Sequence, residues 1–256
     1  MLKIERLTLI EQELRKSGSL QIPALSQMLG CSEETIRRDL RELEAVGKLN
    51  RTRGGAFLTD KYDKTYASPL RKSLLQSEKA RMAVKAMELI RDRDVIFLDS
   101  STTCLTLASL LLEQKRSMNL TVVTNSMLIC NLCAESNNHI DLICLGGSLR
   151  TRTQSFVGYH TTDMLSGYYA DSAFISCPKI SLTEGLTDNY LNEARVREEM
   201  LRHARQRFLL MDHTKFDESA NIRFDGLEQV DAIISDRPLS PDWITYCQSH
   251  DIRTIF

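Results

Sequence analysis

The sequence lacks a surplus of charge of either sign. Its 33 Lys and Arg against 34 Asp and Glu leave a formal net charge of −1. That balance excludes a uniformly basic protein that coats nucleic acid, so any basic footprint has to be local. A long apolar run is also missing. The longest weakly polar stretch, 104–112, is about half of the ~20 residues a membrane helix needs. Lys3, Glu5, Arg6, Glu11 and Glu13 interrupt the first turns, where a secretory signal would require a continuous apolar core. The expected location is therefore the cytoplasm, with no membrane partner.

Disulfide and metal chemistry are poorly supplied. Cysteines stand at 31, 104, 130, 133, 144, 177 and 247. Their odd number and irregular spacing, mostly within apolar stretches, read as reduced thiols. Cys130 and Cys133 make a Cys-x-x-Cys, but no second pair is spaced to complete a zinc site. The pair falls inside an expected helix, which favours core packing. The five histidines, at 139, 160, 203, 213 and 250, form no His-x-x-x-His pair. Neither a metal nor a cofactor is expected. No internal repeat or low-complexity tract is visible.

What is present is an ordinary globular composition, 42% hydrophobic and 26% charged over 256 residues, enough for two modest domains. The pattern changes twice. Residues 1–58 are short helical segments closed by a Gly-Gly turn. Residues 59–77 are polar with little periodicity and form the expected linker. From 78 to 256 helices and strands alternate. Strands are expected near 95–98, 120–124, 140–145, 172–176, 207–211 and 232–235, with helices near 78–91, 103–114, 126–135 and 190–205. Alternation of this kind predicts an α/β domain with a mostly parallel sheet. Continuously apolar strands fit burial on both faces.

The first 58 residues read as a winged helix-turn-helix. Ile4, Leu7, Ile10 and Leu14 repeat at helical spacing. Ile22, Leu25, Met28 and Leu29 give a second short helix that ends at Gly30. Ser32 is a natural cap for a third, over 33–46. There Ile36, Leu40 and Leu43 share one face, while Thr35, Arg37, Arg38 and Arg41 take the other. A braced helix with outward arginines suits a major groove, where the guanidinium fork serves guanine edges and phosphates alike. Next, two short extended runs flank Gly54 and Gly55, with Arg51 and Arg53 exposed: a basic wing. Residues 36–58 hold six basic groups (Arg37, Arg38, Arg41, Lys48, Arg51, Arg53) and three acidic ones (Asp39, Glu42, Glu44). The segment is therefore +3 and the rest of the chain −4. Double-stranded DNA is the expected partner.

In an open α/β sheet, ligands sit beyond the carboxyl ends of the strands. Three such ends here are polar or glycine-rich: Asp99-Ser100-Ser101-Thr102-Thr103, Thr124-Asn125-Ser126 and Gly146-Gly147-Ser148. Hydroxyls and backbone N–H groups at a helix N-terminus make an anion site. Lys215 follows another strand end and is placed to reach a phosphate or an open-chain carbonyl.

These segments carry a resemblance. Cys31-Ser32-Glu33-Glu34-Thr35-Ile36-Arg37-Arg38-Asp39-Leu40, then Leu43-Glu44, Gly47 and Arg51-Thr52-Arg53-Gly54-Gly55-Ala56, resemble the DeoR family of bacterial transcriptional regulators. That family has a capped Thr-Ile-Arg-Arg-Asp-Leu helix and an Arg-x-x-Gly-Gly-Ala wing. The resemblance implies operator contacts from Ser32, Thr35, Arg37, Arg38, Arg41, Arg51, Arg53, Gly54 and Gly55. It extends over the second domain, whose family counterpart is similar to ribose-phosphate isomerases and binds phosphorylated sugars or related metabolites. The family motifs there are Asp-x-Gly-Thr-Thr, Thr-Asn, Gly-Gly, Asp-x-Ala-Phe-Ile-Gly and Asp-x-Ser-Lys-Phe. The implied effector residues are Asp99, Ser100, Ser101, Thr102, Thr103, Thr124, Asn125, Gly146, Gly147, Asp171 and Lys215. Ser101 stands where the family has a glycine, and the stretch Asp171-Ser172-Ala173-Phe174-Ile175-Ser176-Cys177 lacks the family's other one, a replacement assigned to Cys177.

The implied function is a repressor of a carbohydrate-utilisation operon, relieved by a phosphorylated sugar, working as a homodimer or homotetramer on repeated half-sites. The alternatives are an isomerase-like enzyme with a fused DNA-binding module and an adaptor that uses the winged unit for protein contacts. The isomerases carry an acidic pair near the position of Asp171. Here the following residues are Ser172-Ala173-Phe174, so a general base is missing and binding without turnover is expected.

Overall fold

The computed structural model describes residues 2–17, 19–45, 49–51, 54–57, 68–114, 118–136 and 140–256. Of 15–17, 19, 50, 57 and 68–70 it gives the backbone alone. The chain divides into two units, Met1–Leu74 and Leu75–Phe256.

The first unit contains α1 (Lys3–Ser17), β1 (Ser19–Gln21), α2 (Ile22–Leu29), α3 (Glu33–Ala45), β2 (Asn50–Arg51), β3 (Gly55–Phe57) and α4 (Ser68–Ser73). Its core is Ile10, Leu14, Ile22, Leu25, Ile36, Leu40, Leu43, Leu49 and Ala56, with Leu7 packed against it. Ile4, expected inward, is 73% exposed. It lies about 90° around the helix from the mean direction of Leu7, Ile10 and Leu14, off their stripe. Gly30 ends α2 in the left-handed region at φ 62, a conformation that glycine adopts without a Cβ penalty. Ser26 Oγ donates to the Cys31 carbonyl at 2.6 Å and fixes the turn into α3.

The three short strands form an antiparallel sheet in the order β1-β3-β2. Strand β1 was not expected from the sequence. Nor was α4, which falls inside the stretch read as a linker; 59–67 of that stretch lies outside the described residues.

The second unit is built on a seven-stranded parallel sheet in the order β15-β14-β12-β9-β4-β5-β6. In chain order its elements are α5 (Gln76–Met87), β4 (Val95–Leu98), α6 (Thr102–Gln114), β5 (Leu120–Thr124), α7 (Met127–Ala134), β6 (Ile140–Cys144), β7 (Ser148–Arg150), β8 (Ser155–Val157), α8 (Tyr159–Ser166), β9 (Ala170–Ile175), β10 (Lys179–Ser181), β11 (Gly185–Asp188), α9 (Leu191–Arg202), β12 (Ala204–Met211), β13 (Ile222–Asp225), β14 (Ala232–Ser235), α10 (Pro241–Ser249) and β15 (Arg253–Ile255). Strand residues alternate between two cores. Ile96 and Leu98 join Phe174, Phe208 and the inner faces of α5, α6 and α7. Phe97 joins Ala173, Ile175, Leu209 and the inner faces of α8, α9 and α10. Helices therefore cover both faces, which is why the strands are apolar throughout.

The sheet order reverses at the β9/β4 pair: β4, β5 and β6 run one way, and β9, β12, β14 and β15 the other. Such a switch point opens a crevice at the carboxyl ends of its two central strands. A hairpin, β7–β8, and a three-stranded antiparallel sheet, β10-β11-β13, complete the unit. These, together with α8, α10 and β15, went unread in the sequence. Among the described residues no helix is long and apolar enough to cross a membrane.

Candidate nucleic-acid interface and ligand crevice

Helix α3 is capped as expected: Ser32 Oγ accepts the Thr35 N–H at 3.3 Å and lies 2.9 Å from the Thr35 hydroxyl. Ile36, Leu40 and Leu43 are buried. The three arginines are not equivalent. Arg37 pairs with Glu33 at 2.9 Å. Arg41 pairs with Glu34, also at 2.9 Å. Arg38 is exposed, with no ion pair found among the described residues. The two pairs are solvent-exposed, so each holds its arginine only weakly. Phosphates can compete for them at small cost.

Asp39 is not part of the surface footprint. It is fully buried, gripped by Arg6 Nε and, at 3.1 Å, by a terminal nitrogen of the same guanidinium. The Asp39 hydrogen bond holds the Arg6 pKa above its ordinary value, against burial. This buried pair fastens α1 across α3 and so braces the helix from behind. Glu42 meets Lys3 at 2.5 Å, and Glu44 meets Arg51 at 2.6 Å. All three acids of the basic segment are thus matched by bases.

The wing differs in detail from the sequence reading. Arg51 pairs with Ala56 across the β2–β3 ladder, and its guanidinium is turned back to Glu44. Gly54 is exposed between the strands, whereas Gly55 lies within β3 and is buried. A Cβ on Gly55 would sit 2.2 Å from the Leu20 carbonyl oxygen. Close packing of β3 on β1 therefore requires that glycine, in place of the phosphate approach expected of it. Arg53 lies outside the described residues.

In the second unit the strand ends converge. Asp99 follows β4, and Ser176 follows β9. Asp99 Oδ1 accepts the Ser101 N–H at 3.0 Å, while Oδ2 accepts the Ser176 N–H at 3.3 Å and Arg197 Nε at 2.8 Å. Arg197, on α9, also bonds Asp188 and lies 3.8 Å from Glu193. Burial alone would lower the Arg197 pKa; Asp188, Asp99 and Glu193 outweigh it and raise it. Burial raises the Asp188 pKa despite Arg197. Glu193 continues the network to Arg150 and the Ser155 hydroxyl, each at 2.9 Å. The Arg150 guanidinium lies 4.4 Å from the centre of the Tyr190 ring.

Ser100, Ser101, Thr102 and Thr103 are all buried. Ser101 Oγ accepts the Cys104 N–H at 3.1 Å and caps α6. Thr124 donates its hydroxyl to the Leu98 carbonyl at 2.6 Å, locking β5 to β4. Asn125 and Ser126 follow, and Ser126 Oγ caps α7 through the Ile129 N–H. Lys215, after β12, donates to Ser176 Oγ at 2.8 Å and lies 3.5 Å from Asp212. Burial works to raise the Asp212 pKa, but the Lys215 charge and two hydrogen bonds from Thr214 hold it below its ordinary value.

Two glycines stand at the strand end where they were expected, and one acid is placed differently. Gly146 and Gly147 follow β6 and are exposed. A Cβ on Gly147, whose φ is +139, would lie 2.1 Å from Thr161 Oγ1, so packing of α8 explains this glycine. Asp171 is the second residue of β9, at the amino edge of the sheet. Its carboxylate accepts the Val95 N–H at 3.0 Å, where β4 begins. It is five positions before Ser176, on the order of 16 Å along a strand. In a parallel sheet that is the edge opposite the crevice, so Asp171 is withdrawn from the candidate site. The residue of that motif that reaches the crevice is Ser176. Arg197 was also missed, because nothing local in a helical sequence marks a buried arginine.

Cys133 is buried and Cys130 half-buried. Burial lifts the Cys133 thiol to a pKa of about 11 and the Cys177 thiol to about 12. No cluster of three His, Cys, Asp or Glu that could hold a metal occurs among the described residues.

Residues 6–61 match the DeoR-like helix-turn-helix domain, and residues 75–237 match the DeoR C terminal sensor domain. The HTH-type transcriptional regulator IolR of Bacillus subtilis (strain 168) is 31% identical over 253 residues, 98% of each chain. The lactose phosphotransferase system repressor of Lactococcus lactis subsp. lactis is 36% identical over 245 residues, 94% of each chain. The L-fucose operon activator of Escherichia coli (strain K12) is 34% identical over 237 residues, 92% of this chain and 96% of its own. Among solved structures, ribose 5-phosphate isomerase A from Methanocaldococcus jannaschii covers 55% of this chain and 54% of its own, at a TM-score of 0.41 and 17% identity. With both domains matched in order and relatives alike over nearly their whole length, this chain belongs to the DeoR family of transcriptional regulators.

Proposed function

We propose that this regulator represses a carbohydrate-utilisation operon and releases its operator when a phosphorylated sugar enters the crevice of the second unit. The observation that carries the DNA half is Arg38: exposed, without an ion pair among the described residues, on a helix whose other face is core. Thr35, Arg37 and Arg41 flank it, with Ser32 at the cap and Arg51 and Gly54 in the wing. The sugar-operon reading is supported by relatives named for lactose and fucose systems.

The effector half rests on donors gathered at the switch point. Ser100, the α6 N-terminus with Ser101, Thr102 and Thr103, and the Lys215 ammonium suit a phosphate ester. Thr124 and Asn125 border them, with Gly146 and Gly147 on the exposed rim. The ligand favours a state with poorer DNA contact, and affinity falls by that difference. The protein works as a homodimer or homotetramer in the cytoplasm. It is not an enzyme: Asp99 and Asp212, the carboxylates at the crevice, are already committed to Arg197 and to Thr214 with Lys215, which leaves neither as a general base.

The test is a mobility shift on the intergenic DNA beside its own gene, with and without a panel of hexose and pentose phosphates. Retarded DNA that a sugar phosphate releases supports the reading. DNA bound equally with every phosphate overturns the effector half. Turnover of a sugar phosphate by the purified chain overturns the statement that it is not an enzyme.

A further inference from the structure

Asn125 stands immediately after β5, the strand between β4 and β6. Leu98 is the Cα partner of Thr124, so Asn125 and Asp99 leave adjacent strands side by side, roughly 5 Å apart. On the other flank the Leu145 N–H donates to the Thr124 carbonyl at 2.8 Å. Asn125 is thus at the level of the crevice, between the Asp99 loop and the Gly146-Gly147 loop.

Its amide is held in one orientation. Nδ2 donates to the Phe156 carbonyl at 2.9 Å, and the Phe156 N–H donates to the Asn125 carbonyl at 2.8 Å. Turning the amide over would set oxygen against oxygen, so Oδ1 faces away from β8. Asn125 is 2% exposed, and its Oδ1 is buried with no hydrogen-bond partner among the described residues. Folded proteins leave few buried acceptors in that condition.

The neighbouring polar groups at this switch point, Ser100, Ser101, Thr102 and Lys215, supply donors and charge for an anion. Oδ1 is the opposite kind of group: it only accepts, and a phosphate oxygen offers it nothing. We infer that Asn125 Oδ1 is the specificity-determining acceptor of the crevice, taking a hydrogen bond from a hydroxyl of the ligand beside its phosphate. This rests on the phosphate-ester reading above. It adds that the ligand must present an O–H donor next to the anion, so that inorganic phosphate and alkyl phosphates are discriminated against. A site built around a hydroxyl rejects an analogue lacking it far more strongly than an apolar pocket rejects a missing methylene.

The experiment is titration calorimetry on the full chain with D-glucose 6-phosphate, sn-glycerol 3-phosphate, propyl phosphate and inorganic phosphate. Wild type is expected to prefer at least one hydroxylated ester over propyl phosphate by tenfold or more. In Asn125→Leu that preference should shrink to about threefold or less, because the hydroxylated esters lose the acceptor that propyl phosphate never used. Asn125→Ala, which leaves space instead of filling it, replaces the leucine variant if that does not fold. Equal affinity of wild type for propyl phosphate and both hydroxylated esters overturns the inference while leaving the anion site intact. So does a preference that persists in either variant. If no phosphate ester binds at all, the phosphate reading itself fails and the inference falls with it.

Discussion

Arg197 and Asp99 are separated by 98 residues in the chain and meet at 2.8 Å inside the second unit, both nearly inaccessible to solvent. The carboxylate that Arg197 holds is the one that orders the Ser101 and Ser176 N–H groups. A helix on one face of the sheet therefore sets the geometry of the loop that opens a helix on the other face. A buried ion pair is not in itself a stability gain, since desolvation offsets attraction. Its use here is positional.

Removing the guanidinium tests this. Arg197→Met leaves Asp99 and Asp188 buried without their partner, and breaking a buried pair costs about 3–5 kcal/mol. Urea denaturation should report a loss in that range, and affinity for sugar phosphates should fall as the Asp99 loop loosens. Arg197→Lys restores charge without the fork and should recover part of the stability and less of the affinity. Full recovery of both by lysine would mean that charge alone matters.

Asp212 gives the second unit a pH dependence with a definite sign. Its folded pKa lies below the ordinary value, so ionised Asp212 stabilises the fold. That contribution is present above the unfolded carboxyl pKa of about 3.9 and is lost as pH falls through the lower folded value. Asp212→Asn should therefore be less stable than wild type near neutrality, with the gap closing as pH falls below about 4. Denaturation midpoints across that range decide it. A gap that stays constant would assign the effect to lost packing.

Ser101 stands where the family motif has glycine, and the structure gives that departure a consequence. Its hydroxyl takes the Cys104 N–H, one of the orphan donors that an α6 anion site would otherwise offer. Ser101→Gly should free that donor and tighten sugar-phosphate binding by a few-fold, at a stability loss of a few tenths of a kcal/mol, as for a cap replaced by glycine. Calorimetry on the two proteins tests both. Weaker binding in the glycine variant would place the hydroxyl itself on the ligand.

The parts that were legible in the sequence are those fixed by local periodicity. Helix α3 announced itself through Ser32 and through Ile36, Leu40 and Leu43 at helical spacing. Strands β4, β5 and β6 showed as apolar runs ending in polar turns. The burial of Asp39 was not legible because its partner, Arg6, is 33 residues upstream, and only the packing of α1 across α3 brings them together. Asp171 was misplaced because it came from the family resemblance as part of a motif, although its position before the strand expected at 172–176 already put it at the amino end, away from the ligand edge. Strands β10, β11 and β13 have three or four residues each, too few for a period to show.

The DNA face yields the sharpest ranking. Arg37 and Arg41 carry their own carboxylates, Glu33 and Glu34, and must exchange them for phosphates on binding. Arg38 has no such exchange to make. Arg38→Ala should therefore weaken operator binding most, by roughly 1–3 kcal/mol if it reads a base edge, and relax sequence preference at one position. Arg37→Ala and Arg41→Ala should lose less, evenly across sequences, and each should lower the salt slope by about one. Glu34→Gln, which frees Arg41 and removes a negative charge from the DNA side, should strengthen binding to any duplex. Anisotropy titrations at several salt concentrations separate these effects. Arg38→Ala binding with wild-type affinity would move the reading face off this side of α3.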